Sequence, residues 1–171
     1  IIVIASIYSF SVDYAFQHFL SDYQQRRVNI LLGFESDLQG AGYNVNQSKI
    51  AIGSGGFSGK GFLQGTQTKL HFVPEQSTDF IFCTVGEEWG FIGSLMLILL
   101  YYIVIRRGLS IMNNATNPSA KLLATGIVTM FTFQVIINIG MTVGFMPVVG
   151  LPLPLISYGG SSLISVMVAL G

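Results

Sequence analysis

Charge is scarce in this chain: Asp, Glu, Lys and Arg make up 9% of its 171 residues, against roughly 25% in ordinary soluble domains. Eight basic residues balance eight acidic ones, so there is no net field of the kind that gathers nucleic acid, and no acidic tail. The single cysteine, Cys83, lies in an apolar run, which excludes an internal disulfide framework and a cysteine-rich metal site. The two histidines, His18 and His71, stand alone without a paired-ligand spacing, so the common zinc arrangements are missing too. No Ser-His-Asp order emerges from such loose residues, and Ser157 before Tyr-Gly-Gly reads as structural rather than nucleophilic. No internal repeat is present.

What the chain has instead is apolar length. Leu122 to Met146 runs 25 residues without a charge, more than the roughly 20 that carry a helix across a bilayer core. Phe80 to Ile105 is similar but is interrupted at "GEEWG", Gly86 to Gly90, before "FIGSLMLILLYYIVI" ends at Arg106 and Arg107. The terminal runs, 1–12 and 158–171, read as the end of one membrane helix and the start of another. The expected architecture is an all-α, polytopic transmembrane helical bundle, represented by a fragment of a longer protein with sequence missing at both ends. Its parts are a long outer loop over 13–79, membrane helices over 80–105 and 122–146, an inner loop over 106–121 and an outer loop over 147–157. Orientation follows from the 106–121 connection, which carries three basic residues and no acid, the mark of a cytoplasmic loop.

The long outer segment is polar and glycine-rich, yet Ile, Phe, Leu and Tyr interleave through it, which argues against disorder. Short amphipathic pieces such as "QSKIAI" suit a membrane surface. Within the segment, "GSGGFSGKG", Gly53 to Gly61, resembles a phosphate loop only superficially. Ser54 occupies the place of the first Walker glycine, and Gly61 replaces the Ser or Thr after Lys60. Two readings stand: a turn-rich loop, or a backbone laid close against a ligand or another membrane segment. Arg26, Arg27, Lys49, Lys60 and Lys69 share this outer segment. They are either solvated or gathered toward the phosphates of a lipid headgroup.

Two acids frame the entrance to the first span. In "VPEQSTDFIF", Val73 to Phe82, Glu75 and Asp79 are spaced to share a helical face if a helix begins after Pro74, with Ser77 or Thr78 as its cap. Asp79 could serve such a helix electrostatically. A carboxylate beside Phe80, Ile81 and Phe82 at a membrane boundary is also partly desolvated, which makes it a candidate base. Glu87 and Glu88, deeper in the run, are expected to pair structurally, or to mark the break between a short re-entrant piece and the true span.

"GAGYNVNQSKIAIGSGGFSGKGFLQGTQTKLHFVPEQSTDFIF", "GEEWGFIG", "NIGM" and "PVVGLPLPLISYGGSS" together resemble the SEDS family (shape, elongation, division, sporulation), most closely its rod-shape branch. The resemblance covers nearly the whole chain. It implies a multi-pass protein of the bacterial cytoplasmic membrane that polymerises lipid II into glycan strands on the outer face, during elongation and rod-shape maintenance. The family's essential aspartate falls on Asp79, with Glu75 in support. An acceptor hydroxyl attacking a lipid-diphosphate sugar needs one base, plus positive charge or a divalent cation, Mg or Mn, on the leaving group. Lys60, Lys69, Arg26 and Arg27 are the candidates for that diphosphate, and no organic cofactor is expected. Implied partners are a class B penicillin-binding protein transpeptidase and other membrane proteins of the elongation machinery. The carboxyl-terminal piece alone is not expected to be active. A lipid II flippase and a non-catalytic scaffold are the competing readings.

Overall fold

The structure, a computed structural model, describes residues 41–69 and 77–171, with positions 21, 22, 24, 25, 28 and 29 before them. Contacts divide the chain into two units, Ile1–Tyr43 and Asn44–Gly171. In the first, the Ser21 carbonyl accepts from the Gln24 and Gln25 amides at 2.8 and 3.0 Å, closing a helical turn.

The second unit is built from helices α1 (Ala41–Gly55, which starts just before the unit does), α2 (Thr66–Lys69), α3 (Ile81–Asn114), α4 (Pro118–Val143) and α5 (Gly160–Leu170). The described residues form no strand. Helices α3 and α4 make the principal pair, with α2 packed on α3 and α5 on α4. Both long helices are apolar enough to cross a membrane, and only 17% of the most apolar window of each is buried. That exposure separates them from the core helices of a soluble protein, which bury such stripes.

Helix α4 starts where local chemistry requires it to. The Asn117 side chain accepts from the Ser119 amide at 3.0 Å and Pro118 occupies the first turn, the arrangement that satisfies an exposed helix N-terminus. The helix ends at Gly144 in the left-handed conformation, a common helix stop. The connection between α3 and α4 is therefore three residues, 115–117, and most of the 106–121 stretch read as a loop from hydropathy is helical. Arg106, Arg107 and Lys121 end the apolar runs but not the helices, because charged residues leaving a bilayer keep good helix propensity.

Two further expectations are corrected. The outer segment carries a real helix, α1, whose Ser48 and Ala51 are buried. The condition of a helix shared by Glu75 and Asp79 is not met at Asp79: 77–80 form a turn, α3 begins at Ile81, and Phe80 caps it without a side-chain hydrogen bond.

Inside α3, Gly90 has φ 65° and ψ −157°, which breaks the helix at the "GEEWG" interruption. The stretch from Phe91 onward still exceeds the length of a bilayer crossing. Below the break, Tyr101 donates to the Pro154 carbonyl at 2.6 Å and packs with Phe82, Phe131, Val135, Leu153 and Val166 in the main core cluster. A second cluster joins Phe80, Ala51 and Cys83 at the head of α3.

Candidate active site

A helix break strands the backbone groups that would have bonded across it. At Gly90 these are the carbonyls of Glu87 and Glu88 and the amides of Phe91 and Ile92. All four are taken up by the glycine loop after α1. Lys60 and Gly61 donate their amides to the Glu87 and Glu88 carbonyls, each at 3.0 Å. Phe91 and Ile92 donate to the Gly56 and Phe57 carbonyls at 3.0 and 3.2 Å. Such backbone-to-backbone contact leaves no room for side chains: a Cβ at Gly59 would run into the Glu88 carbonyl, and one at Gly90 into the Gly59 amide. Phe57 and Phe91 stack over the join, with ring centroids 5.6 Å apart. The motif "GSGGFSGKG" thus lies against another membrane segment, the second of the two readings open in the sequence.

Side chains reinforce the stitch. Glu87 is fully buried, and its carboxylate accepts from Lys60 Nζ at 2.8 Å, from Thr66 Oγ1 at 3.3 Å, from the Gln67 and Thr68 amides at 2.9 and 3.0 Å, and from Thr68 Oγ1. It therefore satisfies the first amides of α2 and neutralises Lys60 at once. Glu87 is structural, as expected.

The candidate base stands at the head of the same helix. Asp79 lies in the 77–80 turn, half-buried, and the turn is held from two sides. From α4, Asn138 donates Nδ2 to the Asp79 carbonyl at 2.8 Å and to the Leu151 carbonyl at 2.6 Å. From the α4–α5 loop, Ser157 donates its hydroxyl to the Thr78 carbonyl at 2.5 Å while accepting from the Leu153 amide at 2.7 Å, and the Tyr158 amide donates to the Ser77 carbonyl at 2.9 Å. Gly150 completes the setting. It has φ 76°, and a Cβ placed on it would stand 3.3 Å from Asp79 Oδ2, so its bare backbone faces the carboxylate.

Of the other expected site residues, Lys60 is committed to Glu87 by an ion pair, with its side chain about a quarter exposed. Lys69 closes α2 and is exposed. The Lys49 side chain lies over Gly144 at the end of α4, where a cation is favoured. Glu75, Arg26 and Arg27 lie outside the described residues. Among the described residues, no three His, Cys, Asp or Glu side chains gather to form a metal cage. Asn138 and Gly150 were not singled out from sequence alone. The available signal for Asn138 was its place in "NIGM", as one of two amides, with Gln134, within 25 uncharged residues, where a polar side chain needs a reason.

Fold and site together define a helical membrane protein with a carboxylate turn held at the head of a kinked spanning helix. The chain belongs to the FtsW/RodA/SpoVE family of cell cycle proteins, whose sequence profile matches residues 1–171. It is 52% identical over 152 residues to the peptidoglycan glycosyltransferase MrdB of Escherichia coli K12, which covers 89% of this chain and 41% of that protein. It is 48% identical over 152 residues to the peptidoglycan glycosyltransferase RodA of Treponema pallidum, 89% of this chain and 35% of the relative. The stage V sporulation protein E of Bacillus subtilis matches at 41% over 149 residues, 87% and 40%. This chain therefore spans about two fifths of these relatives. A solved chain from work on "structural coordination of polymerization and crosslinking by a peptidoglycan synthase complex" superimposes with a TM-score of 0.74. The match has 33% identity and covers 99% of this chain and 46% of that one.

Proposed function

We propose that the protein carrying this chain is a peptidoglycan glycosyltransferase that extends glycan strands from lipid II at the outer face of the bacterial cytoplasmic membrane, with Asp79 as its general base. The observation that carries the reading is the Asp79 turn. It sits at the head of a membrane helix and is pinned by Asn138, Ser157 and Tyr158, within a chain whose relatives are named for this activity.

In the reaction, the acceptor sugar oxygen attacks the donor's anomeric carbon, its proton passes to the Asp79 carboxylate, and the anomeric C–O bond breaks with its electron pair leaving on the lipid diphosphate. The attack comes from the face opposite the leaving group, so the anomeric centre inverts. Diphosphate leaves readily without a strong acid, so one carboxylate suffices where glycoside hydrolysis takes two. Cations would steady the departing charge: Lys69, with Arg26 and Arg27 of the preceding segment, and Lys60 where it exchanges its Glu87 partner for phosphate; a Mg or Mn ion held by the diphosphate would supply further neutralising charge. Glu75 supports the base. The working complex includes a class B penicillin-binding protein, which crosslinks the strands as they emerge.

The test is glycan synthesis by full-length protein with its transpeptidase partner in lipid II-containing vesicles. Asp79→Asn lowers kcat by about 100-fold or more, the scale of a lost general base. Glycan made at the wild-type rate by folded Asp79→Asn protein overturns the assignment. Transfer of labelled lipid between leaflets without glycan overturns the activity itself.

A further inference from the structure

Asn138 is fully buried in α4, its Nδ2 is spent on two backbone carbonyls outside its own helix, and its Oδ1 has no hydrogen-bond partner. A buried amide oxygen left unsatisfied is costly, and an apolar side chain of the same shape would avoid that cost. What Asn138 supplies in exchange is a fixed link between Asp79 and Leu151, the residue after Gly150, which faces the carboxylate. Ser157 is built the same way: it is buried, it donates to the Thr78 carbonyl, and it accepts from the Leu153 amide. Two side chains from separate elements thus tie the backbone at Thr78 and Asp79 to the 151–153 stretch of the opposing loop.

Their anchors are themselves secured. Thr142 donates to the Asn138 carbonyl at 2.7 Å and its own carbonyl accepts from Ser48 of α1, while Tyr101 holds the Pro154 carbonyl at 2.6 Å. Position at Asp79 is therefore determined by α1, α3 and α4 together. Helix α3 has no side-chain cap at Phe80, and the Tyr158 amide bond and the packing of Phe80 add to the two ties in holding the turn before it.

We infer that Asn138 and Ser157 are positioning residues for the proposed base: they set where the Asp79 carboxylate stands against Gly150 and the 151–153 backbone. The inference rests on the reading of Asp79 as that base. A displacement of about 1 Å at a reacting group costs up to about a hundredfold in rate. Loosening either tie therefore lowers turnover and leaves substrate affinity alone.

The experiment uses full-length protein with its transpeptidase partner in lipid II-containing vesicles, and refers rates to the monodisperse fraction so that lost protein does not register as lost turnover. Asn138→Leu keeps the shape and removes both donors; Ser157→Ala removes the hydroxyl; Ser157→Thr retains it. The expected result is a tenfold or greater fall in kcat for Asn138→Leu and Ser157→Ala, with KM within about twofold of wild type, and recovery of most of the rate in Ser157→Thr. A role in stability alone would reduce yield, leave kcat per folded molecule unchanged and overturn the inference. So would a rise in KM at constant kcat, or a Ser157→Thr rate no better than Ser157→Ala. If Asp79→Asn itself retains turnover, the reading of the base fails, whatever the two ties do. If Asp79→Asn is inactive while Asn138→Leu and Ser157→Ala turn over normally, the base stands and the ties do not.

Discussion

Replacing Glu87 with Ala removes a buried carboxylate that accepts five hydrogen bonds, one from an ammonium, two from backbone amides and two from hydroxyls. The hydroxyls of Thr66 and Thr68 can turn to water, and Lys60 is partly exposed, so those donors recover some solvation. The Gln67 and Thr68 amides, on partly buried residues that open α2 against α3, recover less. Breaking a buried ion pair costs about 3–5 kcal/mol. Partial exposure of Lys60 moves the expectation to the lower part of that range, about 3 kcal/mol. Lys60→Met should cost less, about 1–2 kcal/mol, since the carboxylate keeps its amide and hydroxyl donors. Thermal unfolding of the purified full-length protein in detergent reports the two losses, and limited proteolysis locates them: release of α2 exposes the 56–69 stretch to cleavage. An unfolding temperature and a cleavage pattern unchanged in Glu87→Ala would refute the reasoning that this carboxylate fastens the outer segment to α3.

Three further substitutions probe the glycines. Gly90→Ala places a Cβ on the Gly59 amide at a left-handed φ and should destabilise by several kcal/mol. Gly126→Ala, in open space within α4, should be neutral or stabilising by up to about 1 kcal/mol; equal effects in unfolding experiments would contradict the stitched break. Gly150→Ala strains a φ of 76° and presses on Asp79 Oδ2. Glycan synthesis should fall at least tenfold while folded yield falls far less, and normal synthesis would separate Gly150 from the carboxylate's setting.

Apolar length made the two long helices legible, because a bilayer crossing imposes a minimum run of uncharged residues that hydropathy reads directly. It did not mark their ends. Arg106 and Lys121 bound the apolar runs, while helix α3 ends at Asn114 and α4 begins at Pro118. The break at "GEEWG" could be anticipated from two adjacent acids in an apolar run, and Gly90 supplies it. Its partner could not. The glycine loop meets Gly90 through backbone groups alone, and backbone pairing between distant segments leaves no pattern in side-chain chemistry beyond the glycines it requires. Helix α1 was legible only in part: its "QSKIAI" stretch reads as a short amphipathic piece, but "AGYNVNQSKIAIGSG" as a whole is too polar for a span, so burial at Ser48 and Ala51 supports the helix more than local preference. Asp79 was legible as a boundary carboxylate. The ties that hold its turn were not, since Asn138 and Ser157 act on carbonyls 59 and 79 positions away.

The central claim is that one carboxylate, Asp79, takes the proton in glycan extension. Its most direct test is the rate of lipid II polymerisation by folded, partner-bound Asp79→Asn protein beside wild type in the same vesicles. The account predicts a loss of about 100-fold or more in kcat; polymerisation at the wild-type rate would contradict it.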